Sequence, residues 1–193
     1  YEDLEFVEDI IRHNQDVIVI VDEAYIDFAG ESALSLLDKY DNLIITQTFS
    51  KARSMAGMRI GYAIASPLLI KYLNDAKYSF NSYTMNKTSL VYGVEAVKDK
   101  EYFAETTRKI VETRDWAEEE FKKLGFVFPK PSANFIFVSH PEYDAKELFE
   151  AMKAKGIYVR FWGSERIEQY LRVTIGTREE MEELFAFLRE YMM

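Results

Sequence analysis

The stretch Val17-Ile18-Val19-Ile20-Val21 runs directly into Asp22-Glu23-Ala24-Tyr25. Five consecutive β-branched residues are typical of a strand that is buried on both faces of a parallel sheet. A second apolar run, Leu43 to Thr48, is followed by Phe49-Ser50-Lys51. Because ligands of open α/β sheets bind beyond the carboxyl ends of the strands, the polar residues that end both runs are candidates for one binding site.

A third predicted strand, Arg59 to Ala65, adds a cation to this group. An arginine on an otherwise apolar strand has little structural reason to be there unless it is paired. The amine of Lys51 can form an imine with an aldehyde, and an acid such as Asp22 can pair with a protonated ring nitrogen. Hydroxyls and an arginine can hold a phosphate. These are the requirements of pyridoxal 5'-phosphate (PLP), an electron-sink cofactor, and we therefore predict a PLP site here.

The rest of the chain predicts alternating helices and strands. The expected helices are Leu4 to His13, a short helical connection at Ser32 to Tyr40, a helix from Pro67, Thr84 to Lys98, Glu101 to Leu124, Asp144 to Lys155 and a last helix that Thr177 and Glu180 begin as a capping box. The expected short strands are Phe126 to Phe128, Phe135 to Val138, Ile157 to Arg160 and Leu171 to Ile175. This order predicts an α/β fold in which part of a mainly parallel sheet (residues 1–98) precedes a long helix and a smaller α+β domain (residues 99–193).

Composition narrows the classes of partner. The chain has 193 residues and a net charge of −9, which argues against nucleic acid or an anionic membrane as a general partner. It has no cysteine and two isolated histidines, so we expect no disulfide and no metal site. No apolar run approaches the ~20 residues that cross a bilayer. The cytoplasm is the expected location.

The motifs D-E-A-Y, T-F-S-K and G-x-R-x-G-Y, in this order, resemble those of the fold-type I PLP-dependent aminotransferases, and most of all the histidinol-phosphate aminotransferases. Further similarity lies in Ala133-Asn134-Phe135, in Gly156 to Arg160 and in Tyr170 to Thr177. The resemblance covers essentially the whole chain, but only the C-terminal part of a family member. It implies a homodimeric enzyme that transfers an amino group between histidinol phosphate and 2-oxoglutarate, with residues 1–98 in its large PLP-binding domain.

The resemblance also implies a role for each candidate residue. Those assigned to the cofactor are Lys51 for the covalent bond and proton transfer, Asp22 for the ring nitrogen, Tyr25 for the phenolate oxygen, and Thr48, Ser50 and Arg59 for the phosphate. Those assigned to the substrate are Arg172 for the α-carboxylate, Asn134 as its assistant, and Arg160 for a distal phosphate.

Most of these assignments have a structural alternative. A lysine after a strand is usually solvated, and an aspartate in that position is often a helix N-cap. Tyr25 and Thr48 can simply pack, Asn134 can serve a turn next to Pro131, and Arg160 can form a surface salt bridge. Two further functions also stay open, a PLP-dependent decarboxylase of a phosphorylated amino acid and a non-catalytic interaction module.

The chain departs from the family pattern in two respects. Arg53 stands where many relatives carry an apolar or aromatic residue. The family's N-P-x-N-P-T-G segment and the other N-terminal motifs do not occur, and the first residue is Tyr1. We therefore expect a remnant or one part of a larger assembly, which exposes apolar surface from Val17 to Val21 and from Leu43 to Thr48, folds poorly or self-associates, and turns over negligibly alone.

Overall fold

The computed structural model describes residues 1–193, which form two compact units. The first unit comprises Tyr1–Glu105 and the second comprises Thr106–Met193. The helices are α1 (Leu4–His13), α2 (Pro67–Phe80), α3 (Lys87–Lys98), α4 (Lys100–Lys123), α5 (Ala145–Ala154) and α6 (Arg178–Tyr191). The strands are β1 (Val19–Asp22), β2 (Leu43–Thr48), β3 (Gly61–Ala65), β4 (Phe135–Val138), β5 (Arg160–Phe161) and β6 (Leu171–Thr174). The boundary between the units lies within α4.

The sheet of the first unit has the order β1-β2-β3. Strands β1 and β2 are parallel, whereas β2 and β3 are antiparallel, so the expectation of a mainly parallel sheet holds for only one of the two pairings. The connection at residues 49–60 explains the reversal. The Phe49 N–H donates to the Ile60 carbonyl at 3.0 Å, which closes the connection and returns β3 beside the strand that the chain has just left. A parallel return would need a crossover to the far end of the sheet.

Only one face of strand β1 packs against a core, contrary to prediction. Ile20 and Ile18, the residue before the strand, are 63% and 54% exposed, whereas Val19 and Val21 are half-buried against a core that includes Ile11 and Leu36. The strand lies at the edge of the sheet, and its second face has no covering layer. The expected exposure of apolar surface is therefore confirmed here.

Strand β2 behaves differently, because it lies between two neighbours. Leu43, Ile44 and Ile45 are all buried, so the expectation that this strand exposes apolar surface is wrong. The exposed apolar surface lies instead on β1 and along the next two helices. In α2 and α3 the exposed large residues are Leu68, Tyr72, Leu73, Tyr78, Phe80, Leu90, Val91, Tyr92, Val94 and Val97.

Local chemistry explains where the helices of the first unit begin. Asp3 caps α1 by accepting a hydrogen bond from the Phe6 N–H at 2.9 Å. Pro67 occupies the first turn of α2, where its missing N–H costs nothing. Helix α3 starts at Lys87 and not at Thr84, because Asn86 is the residue whose side chain caps it by accepting from the Ser89 N–H at 2.8 Å.

The second unit contains an antiparallel sheet of order β4-β6-β5. One face of this sheet packs in a core with α5 and α6. The buried residues of this core are Ala117, Phe121, Phe126, Ile136, Val138, Ala145, Leu148, Met152, Leu171, Val173, Ile175, Met181, Leu184, Phe185 and Leu188. The predicted capping box of α6 is confirmed, since Thr177 and Glu180 each accept a hydrogen bond from the backbone N–H of the other.

Two strands predicted here are shorter than expected, for one shared reason. Gly125 and Gly156 have φ of 83° and 81° and end α4 and α5 as Schellman caps. The N–H groups of Phe126 and Ile157 then donate back into the helices, to the carbonyls of Phe121 and Met152. These residues are therefore unavailable to a sheet. Only a single bridge, Val127 to Ser139, remains of the first predicted strand, and the second begins at Arg160 instead of Ile157.

No helix of the structure is sufficiently long and apolar to cross a bilayer.

Candidate functional site

The site begins with the register of the sheet in the first unit. Asp22 lies opposite Thr46 on the parallel neighbour, and Thr48 lies opposite Gly61 on the antiparallel one. Because side chains alternate along a strand, Asp22, Thr46 and Thr48 share one face of the sheet. That face is the one on which Ile20 is exposed. The carboxyl ends of β1 and β2 thus bring a carboxylate and two hydroxyls to the same end of the sheet.

The two neighbouring acids after β1 have different environments. Asp22 is exposed, and one of its carboxylate oxygens accepts from the Ala24 N–H at 3.0 Å. Its other oxygen makes no hydrogen bond, so the carboxylate can still accept one from a ligand. Glu23 is 6% exposed and points to the opposite face.

Glu23 organises that opposite face. Its carboxylate accepts from the Ala33 N–H at 2.7 Å, from the Gln47 side-chain amide at 2.7 Å and from the Ser32 hydroxyl at 2.8 Å. The Tyr62 hydroxyl in turn donates to Gln47, and burial raises the pKa of this tyrosine. Glu23 therefore fixes β1 against β2 and against the loop that follows.

Lys51 lies in the turn after β2 and faces an aromatic ring. Its Nζ is 5.1 Å from the centroid of Tyr25, and its side chain is half-buried. The Lys51 carbonyl accepts from the Ser54 N–H at 3.0 Å, which holds the turn. The ammonium makes no ion pair with a carboxylate, so the amine is not committed to a structural salt bridge. The structure thus brings together two of the predicted cofactor residues.

The hydroxyls predicted to hold a phosphate also meet. Thr48 Oγ1 lies 2.9 Å from Ser50 Oγ and accepts from the Ser50 N–H at 3.0 Å. The predicted strand Arg59 to Ala65 begins only at Gly61, because Arg59 adopts a left-handed conformation with φ of 56°. The Arg59 guanidinium donates to the Ala56 carbonyl at 3.0 Å. Ser54 has φ of 54°. Left-handed backbone at residues other than glycine costs on the order of 1–2 kcal/mol each, and such conformations concentrate at ligand-binding turns.

Arg53, the departure noted in the sequence, has a structural role. Its guanidinium donates to the Ala96 carbonyl at 2.8 Å and lies 4.2 Å from the ring centroid of Phe103 and 5.2 Å from that of Phe49. The arginine therefore joins the turn after Lys51 to helix α3 instead of facing the ligand.

The predicted substrate residues all lie in the second unit. Arg160 and Arg172 are directly opposite each other on β5 and β6. The Nε of Arg172 is buried and has no hydrogen-bond partner, and neither guanidinium is paired with a carboxylate in this unit. Asn134 precedes β4, and its carbonyl accepts from the Ile175 N–H at 2.9 Å, so the structure places it beside the same sheet through its backbone.

Sequence reasoning missed two residues of the first site. Thr46 lies opposite Asp22, and Gln47 links Glu23 to Tyr62. The alternation of side chains along Thr46-Gln47-Thr48 places Thr46 on the same face as Thr48 and Gln47 on the opposite face. This alternation was the signal in the sequence that could have identified both residues.

Residues 2–188 match the family model described as aminotransferase class I and II. A histidinol-phosphate aminotransferase of Brachyspira hyodysenteriae is 52% identical over 180 residues, which are 93% of this chain and 51% of that protein. The chain spans about half the length of the curated relatives it matches.

Solved structures show the same fold. The histidinol-phosphate aminotransferase of Sinorhizobium meliloti in complex with pyridoxal-5'-phosphate superposes with a TM-score of 0.86 at 27% identity, over 100% of this chain and 53% of that one. An L-threonine-O-3-phosphate decarboxylase of Porphyromonas gingivalis superposes with a TM-score of 0.80 at 17% identity, over 98% of this chain and 59% of that one, and shows the fold alone. The chain belongs to the class I and II aminotransferase family.

Proposed function

We propose that this chain is part of a PLP-dependent aminotransferase that transfers an amino group between histidinol phosphate and 2-oxoglutarate. The single observation that carries the proposal is the contact of the Lys51 ammonium with the Tyr25 ring, at the end of the sheet that also presents Asp22 and Thr48. The 52% identity to a histidinol-phosphate aminotransferase supports the choice of substrate.

Three groups in and after these strands have the chemistry that the cofactor needs. Lys51 has an amine that no carboxylate holds, Asp22 has an acceptor oxygen without a partner, and Arg59 has a guanidinium that is exposed and bonded only to a carbonyl. The aldehyde of PLP needs an amine, its protonated ring nitrogen needs a carboxylate, and its phosphate needs a cation such as this guanidinium. PLP, when bound, supplies the electron sink for charge that develops on the substrate carbon.

The chain's own residues then have defined tasks. Lys51 would hold the cofactor covalently and, once displaced by substrate, move a proton with its free amine. The Asp22 carboxylate would keep the ring nitrogen protonated, since an opposite charge favours the protonated form. Tyr25 would donate to the phenolate oxygen. Arg59 would bind the phosphate with charge-assisted hydrogen bonds, together with the hydroxyls of Thr48 and Ser50.

In the proposal, residues of the second unit recognise the substrate. Arg172 has a buried Nε–H without an acceptor, which the α-carboxylate of 2-oxoglutarate would satisfy, and Asn134 would assist it. Arg160 would take the phosphate of histidinol phosphate when that substrate is bound. We assign residues 1–98 to a large PLP-binding domain and residues 99–193 to the connecting helix and small domain. For the whole protein we propose a homodimer in the cytoplasm.

The proposal includes a low activity for these 193 residues alone. The relatives are about twice as long, and Ile18 and Ile20, before and within β1, are exposed on the face that Asp22 shares. We therefore expect weak PLP binding and negligible turnover. A rate similar to that of ordinary transaminases, measured on this chain alone, would overturn this part.

The test is a titration with PLP followed by visible imine absorbance, and then an assay with histidinol phosphate and 2-oxoglutarate in a polypeptide that restores the family's full length. Lys51→Ala is expected to abolish both signals, whereas Lys39→Ala, a change at an exposed lysine paired with Glu8, should retain them. Turnover by the Lys51→Ala variant would refute the assignment. Release of carbon dioxide without transfer of the amino group would identify the decarboxylase alternative, which the fold also accommodates.

A further inference from the structure

The loop at residues 49–55, which carries Lys51, holds its own shape through two hydrogen bonds. The Met55 N–H donates to the Phe49 carbonyl at 3.0 Å and joins the two ends of the loop. The Ser54 N–H donates to the Lys51 carbonyl at 3.0 Å. Both bonds lie within the loop, so neither attaches it to a neighbouring helix.

Helix α3 supplies that attachment through one of its faces. Ser89 and Ala96 are about two turns apart on α3, so they lie on the same face. The Ser89 hydroxyl donates to the Met58 carbonyl at 2.8 Å, just beyond the loop. The Ala96 carbonyl accepts from the Arg53 guanidinium at 2.8 Å, within the loop itself. Arg53 is therefore the contact nearest to Lys51.

The bond to Ala96 benefits from the position of its acceptor. Ala96 lies in the last turn of α3, where carbonyl groups lack an N–H partner within the helix and the helix dipole is negative. A guanidinium that donates there makes a charge-assisted hydrogen bond, which is stronger than a bond between neutral groups. Arg53 thus stabilises the end of the helix and the loop together.

The other contacts of Arg53 also suit a guanidinium. Its Cζ lies over two rings, 4.2 Å from the centroid of Phe103 and 5.2 Å from that of Phe49, and it makes no ion pair with a carboxylate. A planar guanidinium can lie on a ring face while it donates in its own plane, which the compact ammonium of a lysine does less well. Arg53 therefore joins Phe49, at the start of the loop, to α3 and to the first turn of α4.

We propose that Arg53 is a positioning residue, which ties the loop to the end of α3 and so holds the Lys51 amine where it can bond to the aldehyde of PLP. This inference rests on the proposed function, which assigns the aldehyde to Lys51. Thr48 depends on Arg53 less, because its strand pairs with a neighbour on each side. The effect of Arg53 should therefore fall on the covalent bond and not on the binding of the phosphate.

The test compares the wild-type chain with Arg53→Leu, which removes the cation and the donor, and Arg53→Lys, which keeps a cation. Arg12→Leu is the control, because it makes the same change at an exposed arginine of the first unit that pairs with Asp9. PLP and pyridoxamine 5'-phosphate serve as probes, since the second has the same ring and phosphate but no aldehyde. PLP binding is followed by the imine absorbance that Lys51→Ala lacks, and pyridoxamine 5'-phosphate binding by calorimetry.

Loss of the hydrogen bond to Ala96 is expected to weaken PLP binding about tenfold in Arg53→Leu and by less than about threefold in Arg53→Lys. Binding of pyridoxamine 5'-phosphate should weaken by less than about threefold in both variants, because it does not need the amine. In Arg53→Leu without ligand, the Ser54 and Met55 amides should exchange about tenfold faster by NMR, while the amides of β2 keep their rates. Arg12→Leu should match the wild type in every measurement.

The outcomes separate this inference from the proposed function. Equal PLP affinities in the wild type and Arg53→Leu, or equal losses for the two probes in that variant, would overturn the role of Arg53 and leave the aminotransferase assignment in place. A wild-type chain that binds neither probe would count against the proposed function, and amide exchange then decides the inference. Faster exchange of Ser54 and Met55 in Arg53→Leu supports the attachment by Arg53, and unchanged exchange overturns it.

Discussion

The adjacent acids Asp22 and Glu23 offer a sharp test, because the structure gives them opposite roles. Glu23→Ala removes the acceptor of two donors that are close and well placed, the Ala33 N–H and the Gln47 side-chain amide, both at 2.7 Å. Ala33 is 2% exposed, so its N–H cannot turn to water. Asp22→Asn, in contrast, alters an exposed side chain with one hydrogen bond to the backbone.

The magnitude follows from these contacts. A hydrogen bond to a charged group contributes about 1.5–3 kcal/mol, and an unsatisfied buried donor costs about 1–3 kcal/mol. Since water can reach Gln47 more easily than Ala33, we expect Glu23→Ala to lower the stability of the first unit by about 3 kcal/mol. Asp22→Asn should stay within about 0.5 kcal/mol, as exposed substitutions usually do. Glu23→Gln keeps one acceptor oxygen and should lie between the two.

Hydrogen exchange followed by mass spectrometry suits this comparison, because it reports each unit separately. In Glu23→Ala, the slowest amides of β1 and β2 should exchange about a hundredfold faster, while peptides of the second unit keep their wild-type rates. The reasoning is refuted if Glu23→Ala and Asp22→Asn accelerate exchange in β2 to a similar extent, or if the second unit changes as much as the first.

Three further predictions concern stability and association. Gly125→Ala and Gly156→Ala both place alanine at positive φ, for a cost of roughly 1–2 kcal/mol each. Only at Gly125 would the new Cβ lie 2.9 Å from His140 Nε2, so urea unfolding followed by tryptophan fluorescence should show the larger loss of stability for Gly125→Ala. Equal losses in the two variants would contradict this. Ile20→Lys should reduce self-association in sedimentation velocity, because Ile20 is 63% exposed on an edge strand. Ser35→Lys, which makes the same change of charge at another exposed site, should leave self-association unchanged. If both variants associate like the wild type, the β1 face is not the contact. Asp144→Ala should cost about 1 kcal/mol at neutral pH through the lost cap of α5. Hydrogen bonds from the Glu147 N–H, the Gln169 amide and the Lys146 N–H lower the pKa of Asp144, so its contribution is complete above the ordinary aspartate pKa and disappears as the pH falls through the lowered value; a difference between variant and wild type that is constant down to strongly acidic pH would contradict the sign.

Where local signals agree with the tertiary fold, the first and last residues of an element could be predicted from the sequence. Helix α1 and strands β2 and β4 have the predicted bounds, and the capping box of α6 is present. These segments combine a clear apolar period with an unambiguous cap or turn.

The predictions that were wrong have physical causes that the pattern of one segment does not reveal. Five β-branched residues at Val17 to Val21 indicate a strand, but whether both faces are covered depends on neighbouring layers, and here one is uncovered. The direction of β3 depends on how the connection after β2 closes, through the hydrogen bond from Phe49 to Ile60. Phe126 and Ile157 look like strand residues but are used by Schellman caps.

The candidate site divides in the same way. The motif residues Asp22, Thr48 and Lys51 could be named from the sequence because each lies at the end of a predicted strand or just beyond it. The opposition of Arg160 and Arg172 could not, since it depends on the register between β5 and β6. Register is a property of pairing and is not visible in either strand alone.

The amine of Lys51 is the group that we propose to bond to the PLP aldehyde. The most direct measurement is incubation with saturating PLP, borohydride reduction, proteolysis and mass spectrometry of the labelled peptides, with Lys51→Ala as the control. We expect the pyridoxyl group on the peptide that contains Lys51, and its loss in the variant without a gain at other lysines. Labelling that is spread over the exposed lysines, or that is unchanged in Lys51→Ala, would contradict the account.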